Sequence, residues 1–329
     1  PNEQLMVGGC LTTYNAVGAG NLVRLNTDAS LDLSFNAGTG ANAGVTALTV
    51  QADGMVLVGG DFTRMNGAGR GRIARLNTDG TVDAGFTTGT GFHTAIGSSP
   101  VSIAVQPDGK VLVMGGYDAY DGTPIDKIAR LNSDGSLDPS FTGAPGGGFD
   151  AAEGGPLLIQ ADGKIIMGRK RLNSDGSLDA AFAPAISGWV MANALQPDGR
   201  IILAGGPDGG AALFTRLLPD GSADPLFDTG AGFTDNNWIR AMALQPDGRI
   251  ILAGEFSIYD GAARHNIVRV NADGGLDASF DPGTGFNYEV HGLALQPDGR
   301  IIAAGNFNSY DGNACGHIVR LYGDGSIDP

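Results

Sequence analysis

Nothing in this chain constrains its fold more than a string that returns seven times with unvarying internal spacing. The pattern R-[LV]-x-x-D-x-x-x-D begins at Arg24, Arg75, Arg130, Arg171, Arg216, Arg269 and Arg320. Eight residues after each arginine comes Asp32, Asp83, Asp138, Asp179, Asp224, Asp277 or Asp328. A second string, Q-[PA]-D-G, starts at Gln51, Gln106, Gln160, Gln196, Gln245 and Gln296 and leads into an apolar run that usually ends in glycine. Consecutive arginines stand 41 to 55 residues apart. That is too long for a solenoid rung and right for a four-stranded propeller blade.

Each repeat predicts four strands, shown best by the third: 101–106, 111–116, 128–132 and 136–141. The connecting x-D-G triplets suit a type I turn followed by a left-handed glycine. Such a turn sets Asn132 opposite Ser136, Leu131 opposite Leu137 and Arg130 opposite Asp138. The fixed spacing of eight is thereby a cross-strand register. Repeat one carries Ala29 where the others have glycine. Composition agrees, because 55 glycines in 329 residues would cost a helical bundle about 1 kcal/mol at each helical site. The second strand, ending in glycines such as Gly59-Gly60, is expected at the crowded centre of the propeller.

The strings "LNSDGSLDPSF", "VQPDGKVLVMGG" and "LQPDGRIILAGEF" resemble the delta-60 repeats of bacterial secreted and surface proteins. The resemblance runs the length of the chain. It implies a β-propeller and an extracellular or cell-surface location, and it brings no catalytic residues with it. The expected fold is therefore all-β, a propeller of seven four-stranded blades forming one domain over 1–329. Seven copies of the last three strands but six of the first are present, so a longer parent chain is expected.

A net charge of −15 opposes binding to nucleic acid and to anionic membrane surfaces. No apolar run approaches the ~18 residues of a spanning helix. The expected partners are protein, a surface glycan, or other parts of the same longer chain. The loops joining second and third strands are long in most repeats, such as 117–127. They shrink in repeat four, which passes through Arg169-Lys170, and in repeat five, at 207–212. One sector of that face is expected to be notched. Beside it fall Trp189 and Trp238, each seven residues before its glutamine. Two aligned indoles suit a stacking platform for a sugar ring, with Asp235, Asn236 and Asn237 as polar partners. The alternative is that both indoles fill space the short loops leave.

The N-x-D-G-x-x-D strings invite calcium, but aspartate already has a structural use in such turns. No cofactor is therefore expected, and calcium is the one cation the strings could hold. Seven equal Arg/Asp pairs are scaffold rather than an active site, each expected to contribute about 0–1 kcal/mol. His93, His265, His291 and His317 are scattered through separate repeats. The strings at 89–92 and 283–286 are connectors rather than phosphate cradles, since no helix follows them. Cys10 and Cys315 fall in the first and seventh repeats and could clasp a closed ring, or remain free thiols.

No catalytic string emerges. Asp150, Glu153 and Glu289 are acids without counterparts in sister repeats, yet they form no recognisable pair. The expectation is thus a non-enzymatic structural or adhesive module. A carbohydrate-binding propeller built on the tryptophans is the first alternative, and a propeller hydrolase or lactonase the second.

Overall fold

The computed structural model describes residues 4–93, 100–143, 155–208, 210–234 and 238–328. Two compact units divide the chain. One comprises Pro1–Phe149 with Asp162–Ile165 and Leu172–Leu178; the other comprises Asp150–Ala161, Ile166–Arg171 and Asp179–Pro329.

Each repeat forms an antiparallel sheet. In the first unit, Val45–Val50 pairs with Val56–Gly60, which pairs with Ile73–Leu76. The third repeat does the same with Pro100–Val105, Val111–Gly115 and Ile128–Leu131. In the second unit the sheets are Trp189–Leu195, Ile201–Gly206 and Phe214–Leu217; Trp238–Leu244, Ile250–Glu255 and Ile267–Val270; and Val290–Leu295, Ile301–Gly305 and Ile318–Leu321. The first repeat pairs only Leu5–Gly8 with Leu22–Leu25. All of this is multi-bladed β-propeller architecture.

The expected fourth strand is reduced to a single bridge, such as Leu131 with Leu137. The cause is local. One residue beyond the bridge, Asp138 turns its carboxylate back to accept from the Ser140 amide and hydroxyl, and this Asx turn bends the chain out of the ladder. The preceding turn has the geometry its sequence requires. Gly135 sits at φ 89°, and its amide donates to the Asn132 carbonyl.

Burial explains the strand sequences. Val111–Gly115 is buried throughout, the pattern of a strand covered on both faces. Apolar cores lie between successive sheets: Leu57 and Ile73 of one meet Val111, Val113 and Leu131 of the next. Within each unit it is the first strands of successive sheets that lie side by side, Val45–Val50 with Pro100–Val105 and Trp238–Leu244 with both Trp189–Leu195 and Val290–Leu295. Within each unit it is thus the first strand, not the glycine-rich second, that lies against its counterpart in the next sheet.

Those glycines have a different cause. Every complete first strand outside repeat four carries a one-residue irregularity near its start, as between Val190 and Ala192 or Ile239 and Ala241. The bulged backbone presses on the end of the second strand. A Cβ at Gly254 would stand 2.1 Å from the Trp238 carbonyl oxygen, and one at Gly305 2.3 Å from that of Glu289. Only glycine admits so close an approach.

The long loops fold as two-residue hairpins, for example Ala119–Tyr120 with Thr123–Pro124. The connector from the preceding repeat docks on each. Phe92 pairs with Tyr120, and the Asp121 carboxylate accepts from the Thr90 amide. Phe233 and Phe286 meet Tyr259 and Tyr310 in the same way. The 89–92 and 283–286 strings are thus turns seated on a hairpin. Among the described residues, repeats four and five carry no such hairpin strand.

Candidate functional site

The seven Arg/Asp pairs all form, with N–O distances of 2.5–2.8 Å. Their arginines do more than pair. Arg130 donates through Nε to Asp138 and through Nη1 to the Ser174 carbonyl of the next repeat, while its guanidinium covers the Phe141 ring. Arg75 reaches Ser133, and Arg216 reaches Ala272. Each is a clasp between neighbouring repeats. Four of the pairs, those of Arg130, Arg171, Arg216 and Arg269, are buried through both members. Arg269 is 5% exposed and Asp277 6%.

A second cation that the repeat spacing does not point to joins several of these pairs. The residue after Q-P-D-G, Lys110, Arg200 or Arg300, reaches the same aspartate. Hydrogen bonds and cations hold these aspartates below the ordinary range. For Asp32 the Ser34 hydroxyl contributes most, and the Ser34 amide and Arg24 add to it against the cost of burial, bringing the carboxyl to about 2. The turn aspartates are similarly engaged, Asp134 accepting from Ser136 through both amide and hydroxyl. These oxygens are thereby occupied. No group of three or more His, Cys, Asp or Glu that could hold a metal occurs among the described residues.

The tryptophans behave differently from the scaffold. Trp189 and Trp238 occupy the same register position, first in the first strands of adjacent sheets. Their ring centroids lie 6.5 Å apart with planes inclined at 46°. The Trp238 ring packs across Gly206, where a Cβ would come within 2.3 Å of it. Gly206 is the cross-strand partner of Trp189, so the Trp238 indole lies across the strand that pairs with Trp189. Trp189 remains 36% exposed. Asp235, Asn236 and Asn237 lie outside the described residues, as do Asp150 and Glu153.

The next first strand continues the row. Glu289 stands at the register position of the two tryptophans, and two residues on, at the bulge, come Met191, Arg240 and His291. A bulge re-aims its side chain, and here it brings charges together. Arg240 Nη2 lies 2.9 Å from Glu289 and 3.6 Å from Glu255, the cross-strand partner of Trp238. His291 Nε2 lies 3.5 Å from Glu289 Oε1, and the Asn306 amide donates to that same oxygen. Partial burial pushes the Glu289 carboxyl up, but Asn306, Arg240 and His291 outweigh it and hold the group below its ordinary value. The sequence presented Glu289 as a lone acid. The structure gives it partners that alignment by bulge position could have revealed.

His93 lies 3.9 Å from Asp118 in the first unit, with both side chains well exposed. Cys10 and Cys315 are free thiols. Cys10 is exposed, and partial burial pushes the Cys315 thiol up.

The sequence matches the profile of a β-propeller family described as a domain of unknown function, DUF5122, over residues 1–35, 51–86, 106–141, 196–227, 245–280 and 296–329. The chain belongs to that family. This corrects the resemblance to delta-60 repeats, since the profile that matches is that of DUF5122. The fourth repeat falls outside every matched segment. No curated protein matches the chain. Among solved structures, selenomethionine-substituted virginiamycin B lyase from Staphylococcus aureus is similar at a TM-score of 0.51 and 14% identity, covering 86% of this chain and 83% of its own. A streptogramin B lyase structure matches at 0.50 and 15%, covering 87% and 83%. The WD40 propeller domain of Doa1 matches at 0.53 and 13%, covering 92% and 86%. These likenesses establish the fold. They also correct the expectation of a non-enzyme: lyases share this architecture, and a missing catalytic string gives no ground for denying activity to a propeller.

Proposed function

We propose that this chain is a carbohydrate-binding propeller that receives a sugar ring across Trp189 and Trp238. In this reading each repeat sheet is one blade, seven in all, with the fourth strand worn down to its bridge. The observation that carries the proposal is the indole pair itself. Two tryptophans sit at one register position of adjacent sheets, Trp238 across Gly206 and Trp189 partly open to solvent. A core-filling role would account for Trp238 but not for the exposure of Trp189. Among the described residues repeats four and five carry no hairpin strand, which supports an open approach, because in other repeats a hairpin and its docked connector stand on that face. Hydrogen-bonding groups that an amphipathic ring needs lie next to Trp238, in Glu255 and Arg240.

The test is a glycan-array screen of the chain beside a Trp189→Ala/Trp238→Ala variant, with folding of both checked by circular dichroism. Selective binding is expected, weakened at least roughly tenfold in the variant, as loss of aromatic stacking implies. Binding that survives the double substitution would overturn the site, and a blank array would overturn the reading.

A second reading, a propeller hydrolase or lactonase, is favoured by one separate observation. His291, Glu289 and Arg240 form a contact network beside the indoles, and the fold is one that carries lyases.

A further inference from the structure

We infer that His291 is a proton acceptor acting on the carbonyl of a cyclic ester or acylated sugar held at the tryptophan pair. The inference rests on the carbohydrate-binding reading above, to which it adds a reaction and a substrate class.

The first support is placement. The bulge recurs in the first strands of repeats two, three, five, six and seven, tied to the glycine beneath it. In unit one the bulge of repeat two leaves Thr46 between the paired residues Val45 and Ala47. In the last two repeats the same position carries Arg240 and His291. A scaffold device thus delivers titratable groups to one end of adjacent first strands, in the row that Trp189 and Trp238 begin.

The second support is connection. Glu289 Oε1 faces His291 Nε2 and is fixed by Asn306, while its other oxygen faces Arg240. The carboxylate faces Nε2 and so orients the ring, leaving Nδ1 with no hydrogen-bond partner among the described residues. A base oriented by an acid that itself stays ionised is the arrangement general-base catalysis needs.

The same contacts decide against glycoside cleavage. That reaction requires a carboxylic acid to protonate the leaving oxygen, paired with a second carboxylate. Asn306, Arg240 and His291 hold Glu289 below its ordinary value against the cost of burial, which favours its ionised form, and Glu255 lies against the same guanidinium. Attack of water on an ester carbonyl has no such requirement.

The step balances with water alone. Water forms the new C–O bond to the carbonyl carbon and gives a proton to His291. The tetrahedral intermediate then breaks the ester C–O bond, and the imidazolium returns its proton to the leaving alkoxide. The product is a hydroxy acid, or a free sugar and an acid, and ionisation of the acid near neutrality releases one proton.

The experiment uses the full chain with a panel of aldonolactones and acetylated sugars, read by proton release in weak buffer. His291→Ala should lower kcat at least ~100-fold while moving KM far less. It should also abolish the acid limb of the pH–rate profile. Glu289→Gln should lower kcat and displace that limb. Thr46→Ala, at the same bulge position in another repeat, should change neither. Undiminished turnover in His291→Ala, or no turnover of any ester by a chain that binds sugars, would overturn the inference while leaving the binding site standing. Loss of array binding concerns the tryptophan reading alone.

Discussion

At the scale of single residues, the recurring arginine gathers several duties. Arg269 pairs with Asp277, donates to the Gly323 carbonyl of the following repeat, hydrogen-bonds Ser279 and covers the Phe280 ring. The bidentate, planar guanidinium can do this, and an ammonium cannot. Removing it takes the closest cation from a buried carboxylate that keeps only Ser279 and the more distant Arg249, and it takes a donor from the Gly323 carbonyl. Arg269→Ala should therefore destabilise the protein by about 3 kcal/mol, and Arg269→Lys should recover little of that. Urea unfolding of the three proteins measures both values. A loss below 1 kcal/mol would mean the clasp is no stronger than an exposed ion pair. The spacing of eight between Arg and Asp was plain in the sequence, and so was their register. Their burial was not, because it depends on the neighbouring sheet; the Lys or Arg that joins them comes from the head of the second strand of the same repeat and lies outside the single hairpin that the spacing of eight describes.

Among elements, legibility followed the range of the forces involved. The x-D-G turns were readable because their geometry depends on four adjacent residues. The strand starting at 136 was overestimated, because an Asx turn at Asp138 outcompetes the ladder after a single bridge. The bulges left only an indirect trace, a glycine at the end of each second strand. With them went the link between Arg240, Glu289 and His291, which lie 49 and 2 residues apart in sequence yet meet in space. Repeat one offers a test of the turn chemistry. Ala29 holds φ 63° where sister turns have glycine, a conformation that strains any Cβ-bearing residue. Ala29→Gly should raise stability by about 0.5–1 kcal/mol, the strain relieved less the added flexibility of the unfolded chain. Gly80→Ala should cost more than that, since its Cβ would stand 2.8 Å from the Asn36 backbone. Thermal and urea midpoints for the two variants should move in opposite directions.

For the whole molecule, one chemical unit repeated seven times makes stability a collective function of pH. Asp32, Asp83, Asp138, Asp224, Asp277 and Asp328 all titrate below the ordinary carboxylate value. A carboxyl with a depressed native pKa stabilises the fold fully above its unfolded value, and that contribution is lost as pH falls through the native one. Here the loss begins near the unfolded value of 3.8 and extends to about 2 for Asp32. A second effect runs the other way. The net charge of −15 at pH 7 opposes compaction through self-repulsion, and acidification toward the pI of 4.4 relieves it. The two effects act in different windows. Between pH 7 and about 5 the aspartate pairs remain ionised, so relief of repulsion should hold the melting temperature level or raise it slightly. Below about pH 4 the stabilisation from these six aspartates is lost progressively, and the melting temperature should fall steeply. Calorimetry from pH 7 to 2.5 at low and high salt separates the two, because salt removes the gentle rise but leaves the acid collapse of the buried pairs. A protein that kept gaining stability below pH 4 would show that the arginine clasps do not hold the repeats together.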